Sequence, residues 1–269
     1  MGQGPVRLLE AGLEAYLADA GHRTRVFTVG LEPEPLRNEI QTMLALAERI
    51  RERCSQAAAD GRVPVVMAGS CYAALGAVAT LESVGTEPLG VAWFDSHADF
   101  NTPDTTLSGF LDGMSLATLA GRCWGQLTSG LGGFTPVEES AILLLGFRDV
   151  DPLERVLLEA SDITALSPQE VRVGLDGPAS ALADRAKQLY LHLDLDVLDP
   201  SEGRVNPYQA PDGLTVADTR SAIRALAEAV PIRAVAITAY EPSVDTDGRA
   251  ACAAFGLLGT AIESMQENR

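Results

Sequence analysis

The sequence predicts an α/β domain in which a mostly parallel sheet is covered by helices on both faces. Three observations carry that expectation. Short apolar runs alternate with longer amphipathic stretches through the 269 residues, the order expected of repeated strand and helix units. Most of the apolar runs are continuous, as in strands buried on both faces. Polar clusters follow directly on the ends of those runs, where a parallel sheet presents its carboxyl edge. With 46% hydrophobic residues the chain can bury a full core, and at this length residues 1–269 are expected to form a single domain.

Taken in order, Pro5 is tolerated in a first helical turn, and Leu8, Leu9, Leu13, Tyr16 and Leu17 recur at helical spacing until Gly21. Arg23 to Val29 alternates towards a strand. Pro33 and Pro35 punctuate a loop, and Leu36, Ile40, Met43, Leu44, Ala47 and Ile50 mark a long amphipathic helix. Val63 to Met67 reads as a buried strand, closed by Ala68-Gly69-Ser70-Cys71 before an Ala-rich helix from Tyr72 to Leu81. Leu89 to Phe94 is a second buried strand, which delivers Asp95, His97 and Asp99 into a loop running through Asn101, Thr106 and Ser108. Strands follow at Ala141 to Gly146 and Asp162 to Leu166, with helices starting near Leu153 and spanning Pro168 to Val173 and Ala179 to Lys187. Leu189 to Leu195 is a strand carrying His192, Asp194 and Asp196 at period two, so all three are expected on one side. Thr215-Val-Ala-Asp218 has the form that opens a helix. Ile232 to Thr238 is the last strand, its loop holds Glu241, and Ala250 to Met265 closes the chain as a helix.

Composition excludes several partners. Against 20 Lys+Arg stand 37 Asp+Glu, and a net charge of −17 repels a phosphate backbone or an anionic membrane surface. No apolar run reaches the ~20 residues that a membrane span needs. Charged residues from Arg7 to Arg25 stand where a signal peptide would be apolar, so a cytoplasmic protein is expected. Cys54, Cys71, Cys123 and Cys252 lie far apart without a Cys-x-x-Cys pair, which argues for reduced thiols and against a zinc knuckle or a disulfide framework.

Chemistry concentrates at two strand ends. Asp95, His97 and Asp99 alternate, so two carboxylates and an imidazole can converge, and Asp194 and Asp196 supply further oxygen donors from another strand. Either cluster alone is as well explained by a polar loop or a cap. Together they pose a problem: four carboxylates cannot share a small pocket unpaired, because burial and like charge would force protons back on. Divalent cations resolve it, and an oxygen-rich set with one imidazole suits Mn²⁺ better than Zn²⁺. Two such ions can activate water towards an electrophilic carbon.

Asp95-Ser-His97-Ala-Asp99, Asn101-Thr-Pro-x-Thr-Thr106-x-Ser108-Gly, Arg148-Asp-Val-Asp151-Pro and Asp194-Leu-Asp196-Val-Leu-Asp199-Pro together resemble the arginase/agmatinase (ureohydrolase) family. The resemblance implies a three-layer α/β/α fold, homotrimers or homohexamers, and a manganese site that hydrolyses guanidino groups. By position it implies that Asp95, Asp99 and Asp194 ligate one ion and that Asp95, His97, Asp194 and Asp196 serve the other, with Asp99 also orienting the nucleophilic water. Asn101, Thr106 and Ser108 match the residues that hold an α-carboxylate, and Asp151 the one that reads an α-ammonium. The set favours an arginine-like α-amino acid over agmatine.

Four departures qualify this. Cys71 stands where the family has a metal-binding His, leaving open a thiolate ligand, a weak or vacant first position (hence one ion or two per chain), or an inert thiol. The exchange also resembles a small branch that hydrolyses Nω-hydroxy-L-arginine. Asp112 replaces a His thought to shuttle protons, and would serve only with a raised pKa. The guanidinium-pairing Glu aligns with Ala239; Glu241, two residues on, either faces the pocket from an extended segment or is a solvated loop carboxylate. The chain begins at the family's Gly-x-Gly-Pro segment, without the strand that usually precedes it, through a start-site artefact or a trimmed sheet edge. His192, where the family commonly has a small polar residue, is either catalytic or a core His beneath the site. These losses also admit a rival reading: a catalytically impaired relative with a binding, regulatory or subunit role.

Overall fold

The computed structural model describes residues 1–31, 38–84 and 87–267. Pro33, Pro35 and Leu36 lie outside the described residues. Six parallel strands form one sheet in the order β1-β6-β5-β2-β3-β4, with β1 at Val65–Met67, β2 at Leu89–Phe94, β3 at Ile142–Leu145, β4 at Thr164–Leu166, β5 at Gln188–Asp194 and β6 at Ile232–Thr238. Every residue of β2, β3 and β5 is buried. Burial on both faces explains why these strands read as unbroken apolar runs.

Eleven α-helices are described: α1 Gly4–Glu10, α2 Leu13–Asp19, α3 Glu39–Ala59, α4 Ala73–Val84, α5 Ser115–Leu119, α6 Gly125–Thr128, α7 Pro152–Glu159, α8 Pro168–Val173, α9 Asp176–Arg185, α10 Val216–Ala229 and α11 Arg249–Glu267. One layer contains α3 and α4, with α4 against β5 and β6; the other contains α9, α10 and α11, which contact one another and the sheet. The result is the expected three-layer α/β/α architecture. Local signals match it: Asn38 caps α3 by accepting from Gln41 N, and Thr215 and Asp218 form a capping box on α10.

Three local expectations need correction. The first helix is two helices, broken at Gly12, whose φ of 103° leaves the right-handed region. Arg23–Val29 is not a strand; it pairs with nothing in the sheet, and exposed Phe27 instead receives the guanidinium groups of Arg25 and Arg53 at 4.6 and 5.1 Å. Strand β5 ends at Asp194, and Asp196 lies in a following 3₁₀ turn, Leu195–Val197, so period two does not aim it. The turn itself does, because Asp194 Oδ1 accepts from Asp196 N at 2.9 Å and holds both carboxylates at the strand's end.

Connections run rightwards from β2 to β4 and leftwards from β5 to β6, so the chain reverses direction between neighbouring β2 and β5. The carboxyl ends of these two strands open the crevice where such sheets bind ligands. Among the described residues no helix is long and apolar enough to cross a membrane.

Candidate metal centre

Four strand ends build the site. The turn after β1 carries Cys71, the loop after β2 carries Asp95, His97 and Asp99, β5 ends in Asp194 with Asp196 beyond it, and β6 ends in Thr238. Two triads result among the described residues: one ligand atom each of Cys71, Asp95 and Asp99 lie within 4.8 Å of one another, as do those of Asp95, His97 and Asp196. Asp95 belongs to both. Asp194 joins the first, its Oδ2 accepting from Cys71 Sγ at 3.1 Å and from Thr238 Oγ1 at 3.2 Å.

The surrounding hydrogen bonds orient these groups. Asp95 Oδ2 accepts from Trp93 Nε1 at 3.1 Å and Oδ1 from His97 N at 2.8 Å. Asp196 Oδ1 accepts from Ser96 Oγ at 2.8 Å and Oδ2 from Asn206 Nδ2 at 3.2 Å. His97 Nδ1 lies 3.3 Å from Asp95 and 3.4 Å from Asp196. Asp99 differs. It is 6% exposed, occupies the left-handed region at φ 50°, and its Oδ2 has no hydrogen-bond partner among the described residues. A buried carboxylate oxygen without a donor costs free energy of about 1–3 kcal/mol, more when charged, and a strained backbone adds about 1–3 kcal/mol. A bound cation would supply the partner that this oxygen lacks.

The electrostatics point the same way. Burial, then Asp196, pushes the Asp95 carboxyl up to about 6. Burial also holds Asp99 and Asp194 well above the usual carboxylate range, with Asp95 and Asp196 respectively as the next cause. Burial followed by Asp194 raises the Cys71 thiol. His97 moves upwards because Asp196 and Asp95 outweigh the burial that opposes its charge, and Asp196 is held low, against burial, by His97 and Ser96. Divalent ions relieve this cluster; without them it fills with protons. The donor set, five oxygen- or nitrogen-bearing side chains and a thiol, therefore fits a pair of divalent cations.

The expected substrate residues are partly gathered. Asn101 Nδ2 donates to Asp151 Oδ2 at 3.2 Å, joining the loop after β2 to the cap of α7. Thr106 and Ser108 cap turns of the same loop, accepting from Gly109 N and Phe110 N.

Three candidate catalytic groups are each held by hydrogen bonds or ion pairs of their own. Asp112 Oδ1 accepts from Ser70 Oγ at 2.6 Å and Cys71 N at 2.8 Å, so this carboxylate buttresses the turn that bears the thiol. His192 is fully buried, stacks on Trp93 with ring centroids 3.6 Å apart, and has both nitrogens occupied, by Tyr190 OH at 3.0 Å and Thr238 Oγ1 at 3.1 Å. Burial lowers its pKa to about 3, and it is a core histidine beneath the site. Glu241 turns to the terminal ammonium of Met1 at 2.9 Å and to Ser243 N at 3.1 Å, bonding to no group of the acidic cluster.

Several residues to which the sequence reading gave no role support the site. Arg148 donates to the carbonyls of Gly146, Asp196, Val197, Leu198, Ala210 and Pro211, at 2.8 to 3.3 Å. It ties the turn bearing Asp196 to the end of β3 and to the 210–211 loop. Asn206 bridges Asp196 and the carbonyl of Ala239, itself in the left-handed region at φ 61°. Glu154 accepts from the backbone of Phe100 and Asp151 and so registers α7 on the loop after β2.

Comparison with known proteins gives concordant matches. A model described as the arginase family matches residues 2–262. An arginase of Bacillus caldovelox is 31% identical over 231 residues, covering 84% of this chain and 76% of that protein. An N(omega)-hydroxy-L-arginine amidinohydrolase of Streptomyces lavendulae is 32% identical over 214 residues, covering 78% and 71%. The crystal structure of an arginase from Bacillus cereus superposes with a TM-score of 0.85 at 26% identity, covering 96% of this chain and 91% of that one.

Proposed function

The chain belongs to the arginase family of hydrolases, and from that premise we propose that it is a manganese-dependent amidinohydrolase acting on L-arginine or Nω-hydroxy-L-arginine. Water cleaves the guanidino group to give ornithine plus urea or hydroxyurea. The observation that carries this reading is the pair of triads sharing Asp95, the first of which includes buried Asp99, whose Oδ2 has no partner among the described residues.

In this reading Cys71, Asp95, Asp99 and Asp194 hold one ion, and Asp95, His97, Asp194 and Asp196 hold the other. Bound ions supply Lewis acidity and a water made nucleophilic at neutral pH. The chain's own groups do the rest. Asn101 and Asp151, already 3.2 Å apart, meet the α-carboxylate and α-ammonium, with Thr106 and Ser108 completing the anion's donors. Asp99, whose Oδ2 has no partner among the described residues, would orient the attacking water as well as help hold the first ion. Asp112 and His192 act as positioning groups, on Cys71 and Thr238.

Of the two substrates, the hydroxylated one is favoured. Ala239 stands where the family's guanidinium-pairing Glu would and offers no carboxylate, so this edge compensates less positive charge on the guanidino group. An electron-withdrawing hydroxyl lowers that group's basicity. The family resemblance further supports a homotrimer or homohexamer, which sedimentation tests, and the four free cysteines fit a reducing cytoplasm.

The test is turnover of both amino acids by manganese-loaded protein, with ornithine, urea and hydroxyurea measured separately. The reading expects a higher kcat/KM for Nω-hydroxy-L-arginine. Absence of turnover of either, in protein that retains its ions, refutes the amidinohydrolase assignment.

A further inference from the structure

The two triads are not chemically alike. Asp95, His97 and Asp196 offer oxygen and nitrogen only, whereas Cys71, Asp95 and Asp99 include sulfur. Thiolates select zinc-like and cobalt-like ions, and carboxylates with few nitrogens suit manganese.

Cys71 is not built like an inert core thiol. Its Sγ points at Asp194 Oδ2, 3.1 Å away, and at Thr238 Oγ1, 3.3 Å away, so its polar contacts are with the acidic cluster. Its backbone is fixed from below, because Asp112 accepts from both Ser70 Oγ and Cys71 N. The two exchanges at positions 71 and 112, separate in the sequence, thus form one unit: a thiol and the carboxylate that holds its turn. The oxygen across from it, Asp99 Oδ2, is buried and without a partner. A thiol alone marks nothing, but a thiol held beside an unsatisfied buried carboxylate is one side of an ion's donor set.

We propose that Cys71 makes the position it shares with Asp95 and Asp99 selective for a thiophilic divalent ion of the zinc or cobalt class. The Asp95, His97 and Asp196 position retains manganese, and the centre is a mixed-metal one. This rests on the two-ion reading above and departs from it in the identity of one ion. On binding, the sulfur–hydrogen bond gives way to a sulfur–metal bond, and the proton passes to solvent.

Cobalt reports directly on sulfur ligation. Metal-free protein titrated with Co²⁺ is expected to develop a sulfur-to-cobalt charge-transfer band in the near ultraviolet. Cys71→Ser should lose that band while retaining cobalt at the His97 position. Loading with equal Mn²⁺ and Zn²⁺ should leave both metals in the wild-type chain by elemental analysis. In Cys71→His the preference for zinc over manganese should fall by at least about tenfold, a change that even an outer partner of a ligand can cause. The wild-type band needs no variant to fold. Two bound cobalt ions without the band overturn the mixed-metal proposal and leave the amidinohydrolase reading standing. Failure to bind any ion overturns both.

Discussion

Replacing Arg148 by methionine removes the charged donors that tie the backbone of the Asp196 turn to its neighbours. Six carbonyls, of Gly146, Asp196, Val197, Leu198, Ala210 and Pro211, lose a charged partner. Four of those bonds are 2.8 to 2.9 Å long. A buried acceptor left unsatisfied costs about 1–3 kcal/mol. The side chain is only partly buried, so water recovers the outer carbonyls, and two unsatisfied groups set the loss at about 4 kcal/mol. At about 2–4 °C per kcal/mol for a chain somewhat smaller than this one, the melting temperature should fall by roughly 8–16 °C. Function should suffer separately, because the loosened turn carries Asp196 and hence the His97 ion position. Thermal unfolding with and without Mn²⁺, alongside manganese titration, reads both effects. Arg148→Lys, with three donors on a single nitrogen, should recover only part of each. A shift under about 2 °C with unchanged manganese affinity would refute the assigned role, since surface substitutions already reach that scale.

Other outcomes follow from the same geometry. Asp99→Asn should stabilise the metal-free protein by about 1 kcal/mol, because it removes a buried carboxylate without a donor at a φ that Asn tolerates; calorimetry should also show that manganese raises its melting temperature less than that of the unmodified chain. The pH dependence has a definite sign. Asp95 titrates near 6 in the folded metal-free chain, and Asp99 and Asp194 are raised further by burial. An unfolded chain has lost these protons by about pH 5, so between about pH 5 and 7 the folded state binds more of them and stability falls as pH rises. Ions replace those protons, so the gain in melting temperature on adding Mn²⁺ should grow from pH 5 to 7; a constant gain contradicts the assigned carboxylate environments.

How much of this was legible in the sequence differs by kind of interaction. Buried parallel strands announce themselves as apolar runs, which is why β2, β5 and β6 fall within a residue or two of their expected bounds. Asp95, His97 and Asp99 were legible because one loop carries them. Their convergence with Cys71 and Asp196 depends on β1, β6, β5 and β2 lying side by side, an order that periodicity does not encode. The Arg23–Val29 segment shows the reverse error: alternation describes a strand only when a neighbouring strand takes its hydrogen bonds. Arg148 stood in a recognised motif without a role, because its partners are backbone carbonyls, which every residue has. Thr238 and Asn206 were hidden for a related reason, being uncharged groups whose importance lies in what they touch: the hydroxyl that meets Cys71, Asp194 and His192, and the amide that meets Asp196. Asp112 was visible as a departure, but only its distances to Ser70 and Cys71 show that it also supports the turn bearing the thiol.

The central claim is a two-ion centre built on a shared Asp95, and ion stoichiometry tests it most directly. Protein stripped with a chelator, reloaded with divalent ions and freed of excess by gel filtration should retain about two ions per chain by elemental analysis, with Asp95→Ala retaining neither, as bridging demands. Retention of less than about one ion by the unmodified chain, or two ions by Asp95→Ala, would contradict it.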